Sequence, residues 1–524
     1  MARINTNVPS LVARSQLVRN NSELELRLQR LSTGLRINRG ADDPAGLIIS
    51  ERLRSDVRGV QQGVDNAERA SSVISTSEAS LAEVSDLLNS IKALLVKSAN
   101  TGANSKEERE ANQLEIDSAI DSITRISNTA SFGGLKLLNG SLDYTLSGVS
   151  ASDVAKAQVF GASFVAADNL RVDVDVLASA QTGALFMRGD YSGANAAFNG
   201  EVLSTTTLRI AGSRGVGEIT VVSGASLSAI VTAVNNISAL TGVEAALLNT
   251  TTATSGLVFR SSEYGSDTFV QVERLGGPDP SQDYFQTYKF ADAAQLPSFP
   301  PFDWTTMITA GDLTAGKQDA GRNVSALVNG TLATGDGLSL SVNSPALSLK
   351  LALTEAFATD PTSPETNFYI TGGGALFQLG PQVTAQQQTN VAVQSIAASS
   401  LGGTLISGSL QFLNSLKSGQ ANSISTSVAR SDFASSSEIL ESAIDEVSIL
   451  RGRLGAFERN VLQTNVRSLQ AAFENLSASE SVIRDADFAY ETSQLTRAQI
   501  LTSAGTTVLG LANQQSQQVL QLLG

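Results

Sequence analysis

The sequence predicts an α+β chain: a long antiparallel α-helical coiled-coil bundle formed by both chain ends, with a mostly β variable insertion in the middle. Three observations lead there. Apolar residues recur at coiled-coil spacing over long stretches near both termini. Nine of the eleven prolines lie between Pro278 and Pro381, and proline costs about 3 kcal/mol inside a helix. Charge is shared unevenly: residues 1–140 are net zero, 141–409 are net −11 and 410–524 are net −3, out of −14 for the chain of 524 residues.

Taken in order, Leu17, Leu24, Leu28, Leu31 and Leu35 mark a first helix. Gly34 and Gly40 flank the break after it, and Asp43 followed by Pro44 makes a good cap and first turn for the second. That helix carries a stripe of about six heptads: Leu53, Val57, Val60, Val64, Ala67, Ile74, Leu81, Val84, Leu88, Ile91 and Leu95, with Ser71 and Glu78 as its polar members. Gly102 ends it. Asn104 or Ser105 starts a third helix, with Ile116, Ile120, Ile123 and Ile126 on one face. Phe132-Gly-Gly-Leu-Lys-Leu-Leu-Asn-Gly reads as an extended segment ending in a turn. Towards the other end, Val447, Leu450, Leu454, Phe457 and Val461 repeat in the same way. After a one-residue slip the stripe resumes at Leu462, Val466, Leu469, Phe473, Leu476 and Ile483.

The middle is different. Alternation at Leu208/Ile210, Ile219/Val221, Val243/Ala245/Leu247, Leu257/Phe259 and Phe269/Val272, with helical spacing at Leu227, Ile230, Val231, Val234 and Ile237, gives a ββα-β-type module near 205–275. Leu338, Leu340 and Val342 with Leu347, Leu349 and Leu351 give a second β-rich unit, and the proline-rich stretch 276–303 reads as a linker or long loop.

Several function classes drop out. With no cysteine and no histidine there are no disulfides, cysteine nucleophiles, Ser-His triads or histidine zinc sites, so no cofactor, no metal and no enzymatic role are expected. Asp173 and Asp175 alternate along one strand and read as a solvated face, not a catalytic dyad. The acidic balance argues against nucleic acid and against anionic membranes as partners. There is no run of 18 apolar residues, and the first residues lack the apolar core of a cleaved export signal.

The termini are the most informative segments. Residues 1–40 are net +5 and residues 485–524 net −2, and no charged side chain occurs from Ala498 to Gly524. That last stretch still carries a stripe (Leu501, Ala504, Val508, Leu511, Val519, Leu522), and its polar face holds Asn513, Gln514, Gln515, Gln517 and Gln518. A solvated amphipathic helix carries charge, so this one is expected to pack against other protein on several sides or to line a narrow wet space. The helical blocks stand at opposite ends of the chain and each seam needs a partner. One bundle made from both ends, with the middle protruding, satisfies both. Isolated helices are marginal, so the outermost segments are expected to fold on joining an assembly.

The chain resembles a bacterial flagellin. The residues that carry the likeness are Ile4-Asn-Thr-Asn, Leu28-Gln-Arg-Leu-Ser-Thr-Gly-Leu-Arg-Ile-Asn, Asp42-Asp-Pro-Ala-Gly-Leu and Phe132-Gly-Gly-Leu-Lys-Leu-Leu-Asn-Gly at the start. At the end they are Leu454-Gly-Ala-Phe, Ile483-Arg-Asp-Ala-Asp-Phe-Ala, Gln499-Ile-Leu and Leu511-Ala-Asn-Gln. The resemblance implies a structural subunit that polymerises into the flagellar filament used for swimming. Residues 1–40 and 485–524 would form the inner coiled-coil core domain, 41–140 and 410–484 the outer helical bundle domain, and 141–409 the surface-exposed variable region. The implied filament interface takes Leu17, Leu24, Leu28, Leu31, Leu35, Arg36, Asn38, Asp42, Asp43, Leu501, Val508, Leu511, Asn513, Val519 and Leu522.

Partners implied by the likeness are further copies of the chain, the flagellar cap and hook-junction proteins, and an export chaperone on the C-terminal helix. O-glycosylation of the middle region would be unsurprising. The implied location is the extracellular filament, reached by flagellar type III export without a cleaved signal. A flagellin-like hook–filament junction protein is the alternative, and the match through Leu511-Ala-Asn-Gln and Val519-Leu-Gln-Leu-Leu favours the filament subunit. The stretch Leu88, Asn89, Ser90, Ala93 and Leu94 corresponds to the segment gripped by the vertebrate flagellin-sensing Toll-like receptor. It keeps both leucines but lacks the family's Arg and Glu, which predicts weak recognition.

Overall fold

The computed structural model describes residues 6–162, 169–187, 202, 205–249, 256–275, 286–291, 304, 311–344, 346–406, 408–430 and 432–523. The chain divides into two compact units: Met1–Ser71 with Phe377–Gln388 and Glu458–Gly524, and Ser72–Leu376 with Thr389–Phe457. Long helices occupy both ends and strands fill the middle. The long helices are α1 (Val8–Thr33), α2 (Pro44–Ala99), α3 (Lys106–Thr129), α4 (Leu227–Asn235), α5 (Ala434–Phe457), α6 (Gln463–Arg484) and α7 (Phe488–Leu523).

Local chemistry sets their limits. Gly34, at φ +72°, closes α1 in a conformation that glycine adopts without strain. The Asp43 carboxylate accepts the Gly46 amide at 2.9 Å at the start of α2. Ser105 and Glu108 form a reciprocal capping box on α3. Ser131–Phe132 pairs with Leu135–Lys136 across Gly133 and Gly134, both at positive φ as a two-residue hairpin turn demands.

The α2 stripe is more regular than its large residues suggest. Its buried positions run Val60, Val64, Ala67, Ala70, Ile74, Ser77, Leu81, Val84, Leu88, Ile91, Leu95 and Ser98. Ala70 and Ser77 fill the places where the apolar pattern points to Ser71 and Glu78, because a small side chain fits a tight seam better than a long one. The slip near Val461 has a physical form as well. Residues Glu458–Leu462 make one π-helical turn between α5 and α6, which absorbs the extra residue.

In the second unit, α3 buries Ile116, Ile120 and Ile123, and α5 buries Ile439, Leu440, Ala443, Val447, Leu450 and Leu454. Gln113 is spanned on both sides, donating to the Leu416 carbonyl at 2.9 Å and accepting the Ile424 amide at 2.7 Å. The β-rich part of this unit is antiparallel throughout its described strands. A four-stranded sheet (order Thr334–Asp336, Ser339–Asn343, Leu347–Leu353, Val154–Ala162) packs on a five-stranded one (Thr331–Leu332, Ser325–Val328, Leu170–Ala178, Thr366–Gly373, Tyr144–Ser147). Their shared core includes Val172, Val174, Val176, Leu340, Leu349, Leu351 and Phe368. Asp173 and Asp175 lie on the opposite, half-exposed face of their strand, where Arg171 Nε sits 2.7 Å from Asp173.

The module near 205–275 is not closed on itself. Thr206–Gly212, Val216–Val221 and Phe269–Leu275 form a sheet completed by Gln318–Ala320. Val243–Leu247 and Leu257–Ser261 belong to a second sheet with Ala184–Met187, Thr287–Phe290 and Leu313–Ala315. The helix α4 packs Leu227, Ile230 and Val234 into their common core. The expected linker 276–303 therefore contributes the strand Thr287–Phe290, and its remaining residues apart from 286–291 lie outside the described ones.

Candidate assembly interface

Within the first unit, α1 and α7 lie antiparallel. Asn7 Nδ2 donates to the Ala512 carbonyl at 3.0 Å, Ser10 Oγ to Asn513 Oδ1 at 2.7 Å and Asn20 Nδ2 to the Leu501 carbonyl at 3.2 Å. Moving up one helix moves down the other, so these contacts fix the register. On α1 the more shielded positions run Ser10, Ala13, Leu17, Asn20, Leu24, Arg27 and Leu31. On α7 they run Glu491, Leu495, Ala498, Thr502, Gly505, Leu509 and Ala512. Both series step by three and four, as a coiled-coil seam does. Leu17 lies over Gly505, where a β-carbon would come within 3.3 Å of Leu17 Cδ1.

The seam contains one buried acid. Glu491 is 2% exposed and receives Arg27 Nη1 at 2.9 Å and Arg30 Nη1 at 3.1 Å. Two guanidiniums on α1 thus converge on one carboxylate of α7, a charge-assisted arrangement stronger than neutral hydrogen bonds.

The turn between α1 and α2 is pinned to the segment that joins α6 and α7. Arg36 donates its amide to the Arg484 carbonyl at 2.7 Å, and Ala486 donates to the Gly34 carbonyl at 2.9 Å. The Arg36 side chain reaches the Ile483 carbonyl. Asp42 accepts the amides of Arg39 at 2.9 Å and Asn38 at 3.0 Å, and these bonds hold its carboxyl below the ordinary carboxylate range. Asn38 ties back to Thr33 Oγ1 at 2.9 Å. Ile37 is buried, and a β-carbon on Gly46 would meet Asp43 Oδ2 at 2.5 Å and Ile37 Cδ1 at 2.7 Å. Further along, the segment Phe377–Gln388 straps α2 and α6. The Leu379 carbonyl accepts Asn465 Nδ2 at 2.8 Å, and Pro381 rests on Gly59, where a β-carbon would come within 3.0 Å.

The structure sorts the expected interface residues into three groups. Leu17, Leu24 and Leu31 face the intramolecular seam, and Arg36, Asn38, Asp42 and Asp43 build the turn. Leu28 (49% exposed), Leu501 (42%), Val508 (53%) and Leu511 (60%) point to solvent, whereas Asn513, though exposed, accepts the Ser10 hydroxyl across the seam. Leu35 is half-buried beside Asp485. The side chains of Val519 and Leu522 lie outside the described residues. The apolar pattern missed Ala13, Ala498, Thr502 and Gly505, because small residues carry little hydrophobic signal. It also missed Glu491, whose clue was three-four spacing to Ala498 and Leu495. In the receptor-matched stretch Leu88 is fully buried in the bundle, Leu94 half-buried, and Asn89, Ser90 and Ala93 exposed.

Family models describe this layout. Residues 4–143 match the bacterial flagellin N-terminal helical region, 437–523 the C-terminal helical region and 207–263 the flagellin hook IN motif, together more than half of the chain. The chain belongs to the flagellin family. It is 26% identical to a flagellin of Salmonella muenchen and 27% identical to the B-type flagellin of Pseudomonas aeruginosa, each comparison covering 99% of both chains. It is 40% identical to polar flagellin F of Vibrio parahaemolyticus over 30% of this chain and 41% of that one. Among solved structures, the D2-D3 domains of the Escherichia coli flagellar cap protein FliD align at 18% identity and a TM-score of 0.27, covering 43% of this chain and 96% of that one. This flagellin is a structural subunit of the extracellular bacterial flagellar filament, and not an enzyme.

Proposed function

We propose that subunits of this flagellin join through the outward faces of α1 and α7. The observation that carries this reading is the pair of apolar stripes left over once the seam is filled. They comprise Leu501, Val508 and Leu511 on α7 with Val8, Leu11, Val12, Val18 and Leu28 on α1, each 42–61% exposed. Burying one such side chain stabilises by roughly 1.5–3 kcal/mol. Among the described residues of the two helices, Ala13 and Ala498 are the only buried apolar side chains. A pair so thinly packed is marginal alone. It therefore orders fully when neighbours cover the stripes, and residues 1–40 and 485–524 act as the inner filament layer, 41–140 and 410–484 as the surrounding one. Leu511→Asp tests this. The variant should keep the monomer's circular dichroism yet form no filaments, because assembly would bury an unpaired charge. Normal filaments from Leu511→Asp would overturn the placement.

The same uncovered α7 face suits an export chaperone before secretion, and cap and junction proteins afterwards. Export through the flagellar channel, with the first residues retained in the filament, belongs to this reading; the N-terminal peptide recovered from filaments tests it. Hydroxyls of the β-rich middle are the sites expected to carry any O-linked glycan, detectable as a mass increase of intact filament subunits.

A further inference from the structure

We propose that the face of α1 opposite the seam binds the acidic corner Asp485–Tyr490 of a second copy, so that neighbouring subunits lock ionically and out of step. The inference rests on the reading that the outward face of α1 is an assembly contact, and it names what that face meets. A contact between identical patches closes into a dimer, whereas a filament needs two different surfaces that match head to tail. The first unit offers such a pair.

One surface is basic and apolar. The first 22 residues hold three arginines and no acid. On α1, Arg14 stands between Leu11 and Val18 at steps of three and four, and Arg19 follows Val12 by two turns. Ala13, Leu17 and Asn20 turn to the seam. Arg14 and Arg19 therefore border the opposite face, with Leu11 (55% exposed) and Val18 (61%) between them. Both guanidiniums are exposed, and neither has an acidic partner among the described residues.

The other surface is acidic and aromatic. Asp485 and Asp487 are exposed and meet no cation among the described residues. The adjacent Arg484 is engaged by Glu51 at 2.8 Å. Asp487 Oδ1 accepts the amides of Ala489 and Tyr490 at 2.9 and 3.0 Å, which leaves Oδ2 for another donor. Phe488 is 70% exposed and Tyr490 57%; two residues apart on a helix, they flank the corner on different sides. Carboxylates beside aromatic rings suit a guanidinium, which can donate to the acid and lie over a ring. Within one copy the two surfaces stand apart. Asn20 is level with Leu501, 14 residues along α7 from Asp487, or about 21 Å at the helical rise, and Arg14 lies about 9 Å further out. The surfaces join when a neighbour is displaced along the helices by about 20–30 Å.

Charge reversal in two separate chains tests this. One variant carries Arg14→Glu and Arg19→Glu. The other carries Asp485→Lys with Asp487→Asn, which keeps the cap on α7. Each alone sets like charges together, so its critical concentration for polymerisation should rise at least about tenfold while the monomer's circular dichroism matches the parent's. Mixed one to one, the two should polymerise near the parent's critical concentration, because each α1 face then meets a corner of opposite charge. Arg14→Gln with Arg19→Gln serves where reversal disturbs the monomer. Its critical concentration should rise several-fold and lose the parent's dependence on salt between about 50 and 300 mM. A reversed variant that polymerises like the parent, a mixture that stays unpolymerised, or a neutral variant with the parent's salt dependence would overturn the proposal. The two readings fail separately: normal filaments from Leu511→Asp remove the assembly face itself, whereas an unrescued mixture beside an inactive Leu511→Asp removes only the acidic corner as its partner.

Discussion

Glu491→Ala is the sharpest test of the seam. The carboxylate is 2% exposed and is the counter-charge of both Arg27 and Arg30, whose side chains are 13% and 17% exposed. The Nε of each arginine is already buried without a hydrogen-bond partner, so truncation leaves Arg30 without its acidic partner and Arg27 with only the half-exposed Glu23, 3.0 Å away. Breaking a buried pair from one side costs about 3–5 kcal/mol. The residual exposure of the arginines puts this site at the lower end, about 3 kcal/mol, or about a hundredfold in an equilibrium constant. On the proposed reading each added subunit orders the α1–α7 pair, so the critical concentration for seeded polymerisation, read from pelleting, should rise by that factor. Glu491→Gln keeps the shape and one acceptor and should fall between parent and Ala. Replacing the whole triad by apolar residues (Arg27→Met, Arg30→Met, Glu491→Leu) should recover most of the loss, because no charge is then stranded. A critical concentration for Glu491→Ala within about twofold of the parent would refute the assignment of Glu491 as the charged anchor of the seam.

Three further outcomes follow from the geometry. Deleting Val461 should convert the π turn of Glu458–Leu462 to regular helix and rotate α6 by about 100°. Helix content should persist while the Asn465–Leu379 bond and the Leu469 contact with Gly63 are lost, which limited proteolysis of the Phe377–Gln388 strap would report. The Asp42 carboxyl is held below its ordinary 3.8, so the stability it lends the turn is present above that value and fades as pH falls through the lowered one; exchange of the Arg36 amide should accelerate only in that acid range, and at every pH in Asp42→Ala. Cells reporting on the flagellin-sensing Toll-like receptor should respond weakly, since Leu88 is buried and the exposed Asn89, Ser90 and Ala93 offer no charge; full potency would contradict this.

Heptad spacing made the helices legible, and cap residues such as Asp43 and Ser105 made their starts legible. The slip at Val461 could be read as an insertion, and the structure shows that helices take up such an insertion by widening one turn. What stayed hidden was pairing between distant segments. Nothing local in Ala184–Met187 indicates that it lies between Leu257–Ser261 and Thr287–Phe290, and nothing in Leu379-Gly-Pro marks a strap over Gly59 and Gly63. Seam membership was obscured for a different reason. Apolar size is a proxy for burial, and the proxy fails where helices approach closely, as at Ala70, Ser77 and Gly505.

The two stripes on α7 explain its odd composition. Glu491, Leu495, Ala498, Thr502, Gly505, Leu509 and Ala512 form one series, and Leu501, Ala504, Val508 and Leu511 form another with the same three-four steps, displaced by one residue. Neighbouring residues on a helix stand about 100° apart, so the stripes occupy adjacent faces and together take up more than half of the circumference. On the proposed reading a charged side chain on either stripe would lie in the seam or in the assembly contact, where burying it unpaired costs several kcal/mol. Uncharged glutamine and asparagine on the remaining face avoid that cost and still satisfy water. Glu491 fits the same reasoning: a charge persists in the seam where two arginines of α1 are positioned to meet it.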